Sequence, residues 1–298
     1  MLLKNKTGFV LVAAALLVLS ACSSESDTAV EETQPAAQET TEAVDELDPC
    51  SKDQLDTLTA GTLTIATGEP AYYPWVLDDT PESAEGFEPA VAYAVAAELG
   101  YAPEEVVWVR TTFDGAIAPG AKPFDFNLQQ FSITDERKQV VDFSSGYYYV
   151  TQSIVSAEGS AIAGVTSIAD LKGAKLGAAV GTTSLTTAET LINPDAEIAV
   201  FNDNAAAVQA LKNEQIDGLV VDLPTAFYLA GVEIEGGIIV GQLAADPNTP
   251  EQFGLLLEKD SALTSCVTQA VDTLRSNGTL AQIETTWLTE DQGAPVLN

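Results

Sequence analysis

A chain of 298 residues with a formal net charge of −32 and only 12 lysines and arginines lacks the clustered cations that phosphate neutralisation requires, which excludes a nucleic-acid partner. The absence of histidine removes every Ser-His or Cys-His nucleophilic system and most zinc sites, and nothing else in the composition calls for a metal or a cofactor. The acidity implies solubility and repulsion of anions, so it disfavours an acidic ligand, although salt screens such a field beyond about 8 Å.

In chain order, Lys4 and Lys6 precede an apolar run, Phe9 to Leu19, that is too short to span a bilayer, which predicts a targeting segment over residues 1–21. Its end, Leu19-Ser20-Ala21-Cys22, resembles a lipobox and implies cleavage before Cys22, lipid on the Cys22 sulfur, and export. The alternative is an ordinary signal peptide with a cysteine near its cleavage site. Several acyl chains on one cysteine would anchor the protein durably to the cell membrane. Residues 22–49 are predicted to be a disordered acidic tether, because Ser23 to Asp48 holds no aromatic and no basic residue and cannot bury enough apolar surface to offset its ordering entropy. With Cys22 assigned to lipid, Cys50 and Cys266 are left. In an oxidising, exported setting they are predicted to form a disulfide, two buried thiols being the alternative.

Beyond the tether, strand-like and helix-like segments alternate, which predicts an α/β fold. Thr62 to Ala66 reads as a strand, Pro89 to Leu99 as an Ala-rich helix stopped by Gly100, and Val106 to Val109 as the next strand. Two prolines in Ala118 to Pro123 require the helix that follows to end early. From Phe124 to Phe143 an apolar run gives way to Thr134-Asp135-Glu136-Arg137, read as a helix start after a strand. Ser132 and Arg137 are thereby placed at the carboxyl end of a strand, where open α/β sheets bind ligands. A cation in the first turn of a helix opposes the macrodipole, so Arg137 is explained by an anion held beside it or by pairing with Asp135 or Glu136.

In the second half, Ser167 can cap a short helix Ile168 to Lys172, and Lys175 to Val180 is strand-like. Gly181-Thr182-Thr183-Ser184 opens a helix, Leu185 to Ile192, and either offers backbone N–H groups to an anion or is a plain cap. Phe201 closes a strand, Asn204 can cap a helix through Lys212, and Asp217 to Val221 is a buried strand ending at Asp222. Asp222 is either the cap of the proline-containing helix behind it or a ligand-binding carboxylate. A strand, Phe253 to Leu257, and two helices within Ala262 to Trp287 complete the chain.

The segments GTLTIATGEPAYYPW, Gly86-Phe87-Glu88, SITDERKQVVDFSSGYYY, SIADLKGAKLGAAVGTTS, DGLVVDLPTAFY and SNGTLAQIETTWL, in that order from Thr62 to Leu288, resemble the polar amino-acid family of extracellular solute-binding proteins, the capture subunits of ABC importers. The resemblance implies a type II periplasmic-binding-protein fold with a ligand cleft between two lobes joined by a two-strand hinge. Lobe 1 is expected over 50–152 and 243–298 and lobe 2 over 153–242, with crossings near Val150 to Ser153 and Gly241 to Ala244. It also implies that Arg137 forks onto a ligand carboxylate, that Ser132 Oγ and the Thr183 N–H help hold the charged ends, and that Asp222 receives the α-ammonium. Tyr72, Trp75 and Phe113 fall at or beside positions of aromatic walls, the alternative being core packing, and Glu69 lies where an acid meets a cationic ligand tail.

The chain departs from the family at Gln129-Gln130, where smaller residues are usual. Two amides either narrow the pocket or add hydrogen bonds to the ligand, and a Gln130 carbonyl contact to the ammonium survives the change. The expected function is capture of a neutral or cationic polar L-amino acid by a monomer that delivers it to an ABC permease. One alternative is a dehydratase-type enzyme on the same fold, with a buried Glu69 as proton donor. Another is a sensory lipoprotein with the same cleft.

Overall fold

The computed structural model describes residues 48–244, 248–288 and 293–298. The targeting segment 1–21, Cys22 and all but the last two residues of the tether lie outside the described residues. Two mixed sheets organise the rest, one in each lobe.

Lobe 1 begins with β1 (Leu63–Gly68), α1 (Phe87–Glu98), β2 (Val106–Thr111), α2 (Phe113–Ile117), β3 (Phe126–Asn127) and β4 (Val141–Tyr149). Lobe 2 follows with β5 (Gln152–Ala157), β6 (Leu176–Ala179), α3 (Thr183–Thr187), β7 (Ala199–Phe201), α4 (Asn204–Lys212), β8 (Gly218–Asp222), α5 (Leu223–Tyr228) and β9 (Gly237–Leu243). The chain then returns with β10 (Gln252–Glu258), α6 (Thr264–Ser276) and α7 (Thr279–Trp287), and ends in β11 (Val296–Leu297).

The first sheet has the order β2-β1-β3-β10-β4 and the second β11-β9-β5-β8-β6-β7. In the first, β2, β1 and β3 are parallel and β10 runs against β3 and β4. Every residue of β1 is buried, and neighbouring side chains go to opposite faces: Leu63 and Ile65 join Phe87, Val91 and Val95 of α1, whereas Ala66 joins Phe124 and Phe131. Lobe 2 repeats the device, since Ile154 and Val220 face one cluster and Val155, Leu219 and Val221 the other.

Several elements differ from expectation for local reasons. The helix read at Arg137 is a single 3-10 turn, Arg137–Gln139, and β3 before it is two residues long, so a helix dipole has no part in placing this cation. The stop at Ala118 leaves α2 five residues long, as the two prolines require. The helix after Gly181 continues as a π-helical turn, Ala188–Ile192, and α4 is capped by Asp203 rather than Asn204, its Oδ1 accepting from Ala206 N at 2.7 Å. Ser167 does not cap the turn Ile168–Leu171; its Oγ donates to Asp170 Oδ2 at 2.8 Å.

The chain passes from the first sheet to the second between Tyr149 and Gln152 and returns between Leu243 and Gln252. The two crossings lie together, Val150 N donating to Glu251 O at 3.1 Å. The strand β9 ends at Leu243, inside the stretch Gly241 to Ala244. One boundary moves: the carboxyl terminus, expected in lobe 1, belongs to lobe 2, because β11 adds to β9 as a parallel edge strand. In lobe 1, Cys50 and Cys266 are joined (Cα–Cα 5.2 Å), tying the chain entrance to α6 at the main core. Among the described residues no helix is long and apolar enough to cross a membrane.

Candidate ligand-binding site

A cavity of about 700 Å³ lies at the carboxyl ends of the parallel strands of both sheets. Thr67 and Gly68 of β1, Thr111 of β2, Ala179 of β6 and Asp222 of β8 all reach its wall, the place where open α/β sheets hold small molecules. Its charged lining is lopsided. Arg137 is the one cation among the described lining residues, against the carboxylates of Glu69, Asp114, Asp203, Asp222 and Glu233.

Arg137 is buried at 7 % exposure and is held by neutral partners: Nη1 donates to Ser132 O at 2.7 Å and Nη2 to Gly181 O at 2.9 Å, one carbonyl from each lobe. The guanidinium carbon lies 5.3 Å from the Phe113 ring centroid, and Phe113 in turn stacks on Phe131 at 4.9 Å. Burial lowers its proton affinity, against which Glu251 and Asp222 act. Among the described residues two of its five N–H donors are used in these carbonyl bonds, so three are left for an anion.

Asp222 closes β8 and precedes α5, yet its carboxylate does not cap that helix. Instead Oδ1 accepts from Gln152 Nε2 at 2.7 Å. The same nitrogen donates to Glu251 Oε2 at 3.1 Å, while Glu251 Oε1 accepts from Ser132 Oγ at 2.5 Å. Burial first, and Glu251 second, push Asp222 up to about 8, with the Gln152 bond and Arg137 pulling the other way.

A second buried acid sits behind the wall. Glu88, in the first turn of α1, is completely buried; Oε1 accepts from Tyr147 Oη at 2.5 Å and from Gln130 N at 2.8 Å, and Oε2 accepts from Gln130 Nε2. Burial raises it to about 7 in spite of these donors. The bonds to Gln130 hold that residue at φ +51°, a backbone region costly for a side chain other than glycine. The amide of Gln130 is therefore committed to Glu88. Gln129 lies over Gly68, where a Cβ would come within 2.8 Å of its Nε2, so a glycine in β1 makes room for the larger amide.

The other predicted residues divide. Thr183, Tyr72, Trp75, Phe113, Glu69 and Gln130 all line the cavity, but Ser132 does not. Buried at 1 % exposure, Ser132 Oγ meets Thr183 Oγ1 at 3.2 Å and Glu251, joining the lobes from behind the site. Thr182, one residue earlier than Thr183, caps α3 by accepting from Leu185 N at 3.2 Å. Trp75 is a core residue with one edge on the cavity; its Nε1 donates across the cleft to Thr225 Oγ1 at 3.0 Å. Glu69 is exposed, so the burial that an enzymatic proton donor would need there is missing.

Sequence reasoning missed Gln152, Glu251, Thr225, Tyr228 and Glu233. Tyr228 Oη donates to Glu233 Oε1 at 3.0 Å, and burial with that neighbour pushes the phenol up to about 12. Glu88, part of the Gly86-Phe87-Glu88 segment, had a local signal as an acid amid apolar residues at a helix start; Gln152 and Glu251 flank turns whose proximity no local pattern encodes.

The comparisons agree with this architecture. Residues 63–290 match the model of the bacterial extracellular solute-binding proteins, family 3. An L-arginine-binding protein of Pseudomonas aeruginosa is 30 % identical over 229 residues, 75 % of this chain and 86 % of that protein. Among solved structures, an ancestral arginine-binding protein bound to glutamine aligns with a TM-score of 0.63 at 29 % identity, covering 77 % of this chain and 99 % of the other. An ancestral amino-acid-binding protein described as a precursor of cyclohexadienyl dehydratase aligns with a TM-score of 0.61 at 30 % identity, covering 76 % and 95 %. With a two-lobed α/β fold, a cavity at the strand ends and a family match over most of its length, the chain belongs to family 3 of the bacterial extracellular solute-binding proteins.

Proposed function

We propose that this protein captures a neutral or cationic polar L-amino acid and delivers it to the permease of an ABC importer. The observation that carries this reading is one cavity whose wall takes a lone guanidinium, Arg137, from lobe 1 and a carboxylate, Asp222, from lobe 2. A zwitterion placed between them has its carboxylate at the free Arg137 donors and its ammonium at Asp222, with Thr183 beside the first. It is bound by both lobes only when they approach. Five lining carboxylates against one cation favour a neutral or positive side chain, and Glu69 and Glu233 are the acids available to a cationic tail. The arginine- and glutamine-binding activities named for its relatives are consistent with that range. In this reading the protein acts as a monomer, tethered through lipid on Cys22, with lobe 1 formed by residues up to the first crossing and by β10, α6 and α7.

The test is thermal unfolding of protein unfolded and refolded to strip carried-over ligand, against each common L-amino acid, ornithine and several small carboxylates. A ligand at a thousand times its Kd adds about 4 kcal/mol of stability. Selective stabilisation by one group of amino acids is expected. Stabilisation by none would overturn the reading.

A further inference from the structure

The acceptor end of the site carries more negative charge than its surroundings balance. Asp222 and Glu251 accept from one nitrogen, Gln152 Nε2, and Ser184 Oγ, bonded to Gln152 Oε1 at 2.7 Å, keeps that amide from turning over. The charged and titratable groups that face Asp222 are Glu251 from the second crossing, Arg137 from the turn after β3, and Glu88 from α1 with Tyr147 of β4 bonded to it. Arg137 directs its bonds to two carbonyls, and among the described residues it forms no ion pair with either acid. Two carboxylates that share one neutral donor in a partly buried site do not both ionise readily, which favours a proton held at Asp222.

We propose that the free protein stores one proton on the Asp222–Glu251 pair and that the α-ammonium of the incoming amino acid expels it, so that capture exchanges a proton for an ammonium group at the hinge. The balance is simple: the protonated carboxyl gives its proton to bulk water, the resulting carboxylate accepts the ammonium, and the charge of the acceptor end is unchanged. Gln152 is the positioning residue, since it gathers both acids. The inference rests on the amino-acid-binding reading of the cavity. It explains why a site for an ammonium is built beside a second acid without excess negative charge in the free protein. The direction of the Asp222 shift agrees with it.

The experiment is isothermal titration calorimetry of the refolded protein with L-arginine and with L-glutamine, at pH 7 in phosphate and in Tris, whose ionisation enthalpies differ widely. The dependence of the observed heat on buffer is expected to show release of about one proton per ligand, and Kd is expected to rise about tenfold from pH 7 to pH 6. Glu251→Gln is expected to lower the proton release and flatten that pH dependence. Binding with no buffer dependence in the wild-type protein would overturn the proposal while leaving the binding role intact. If neither amino acid binds, the proposal is decided without a ligand by melting curves from pH 6 to pH 9. A stored proton makes the wild-type protein lose stability relative to Asp222→Asn as pH rises; parallel curves would overturn it.

Discussion

The two ends of the cleft are built on opposite electrostatic plans. The positive end is completed by the fold itself: Arg137 is bonded to neutral carbonyls from both lobes and lies on the face of Phe113, and among the described residues it forms no ion pair. The negative end is left crowded, with Asp222 sharing a single amide nitrogen with Glu251 and, among the described residues, forming no ion pair. The lesson is that Arg137 is integrated into the folded framework, whereas Asp222 is a partly exposed acid that the fold leaves beside a second one, which is what the proposed binding role would require of it.

That contrast can be broken most directly at Arg137. Arg137→Ala should raise Kd by roughly two to three orders of magnitude, and it should also lower the melting temperature, because two carbonyls lose their donor at about 1–3 kcal/mol each where they stay buried. Calorimetry with the amino acid found to stabilise the wild-type protein, together with melting curves, reads both effects. A lower melting point with affinity kept within threefold would reduce Arg137 to a strut between the lobes.

Asp222→Ala should cost a similar factor in affinity and yet leave the free protein as stable as wild type, or more so, at pH 8 and above. The sign follows from the raised proton affinity. Relative to alkaline solution, the protonated carboxyl contributes stability that is fully present below the ordinary carboxylate range and is lost as pH rises to about 8. After allowance for solvent in the cavity, the variant's gain at pH 9 should be on the order of 2 kcal/mol. A variant that melts early at every pH would show Asp222 to be as much a part of the framework as Arg137 and would erase the contrast.

The smallest effect tests whether approach of the lobes is a quantity separate from both ends. Trp75→Phe keeps the aromatic packing with Phe87 and Phe253 but removes the hydrogen bond to Thr225. A net loss of about 1 kcal/mol predicts affinity weaker by about fivefold, with little change in the melting of the free protein. Affinity equal to wild type would mean that the two charged ends alone draw the lobes together.

Much of the fold and the charged anchors was legible in the sequence because both are local. The continuous apolar runs of β1 and β8, the glycine behind α1 and the prolines that shorten α2 are each written within a few residues. Arg137 and Asp222 stand out as charges at the ends of apolar runs. What was not legible shares a cause: a side chain's partners lie far along the chain. Ser132 looks like a ligand contact until the structure sets Glu251, 119 residues away, against its hydroxyl. Gln130 lines the cavity, but its backbone N–H and its side-chain amide nitrogen are taken by Glu88, 42 residues earlier.

By itself the sequence determined the α/β class, the family pattern and the exclusion of histidine chemistry, and it singled out Arg137 and Asp222 as candidates, because composition, periodicity and short motifs carry these. Only the tertiary structure decided that the carboxyl terminus joins lobe 2, that Glu69 is exposed, and that Gln152 gathers Asp222 and Glu251 at the crossing of the two hinge strands. The physical reason is that the proton affinity of an acid depends on burial and on neighbours within a few ångströms, and the fold alone sets which distant residues become those neighbours.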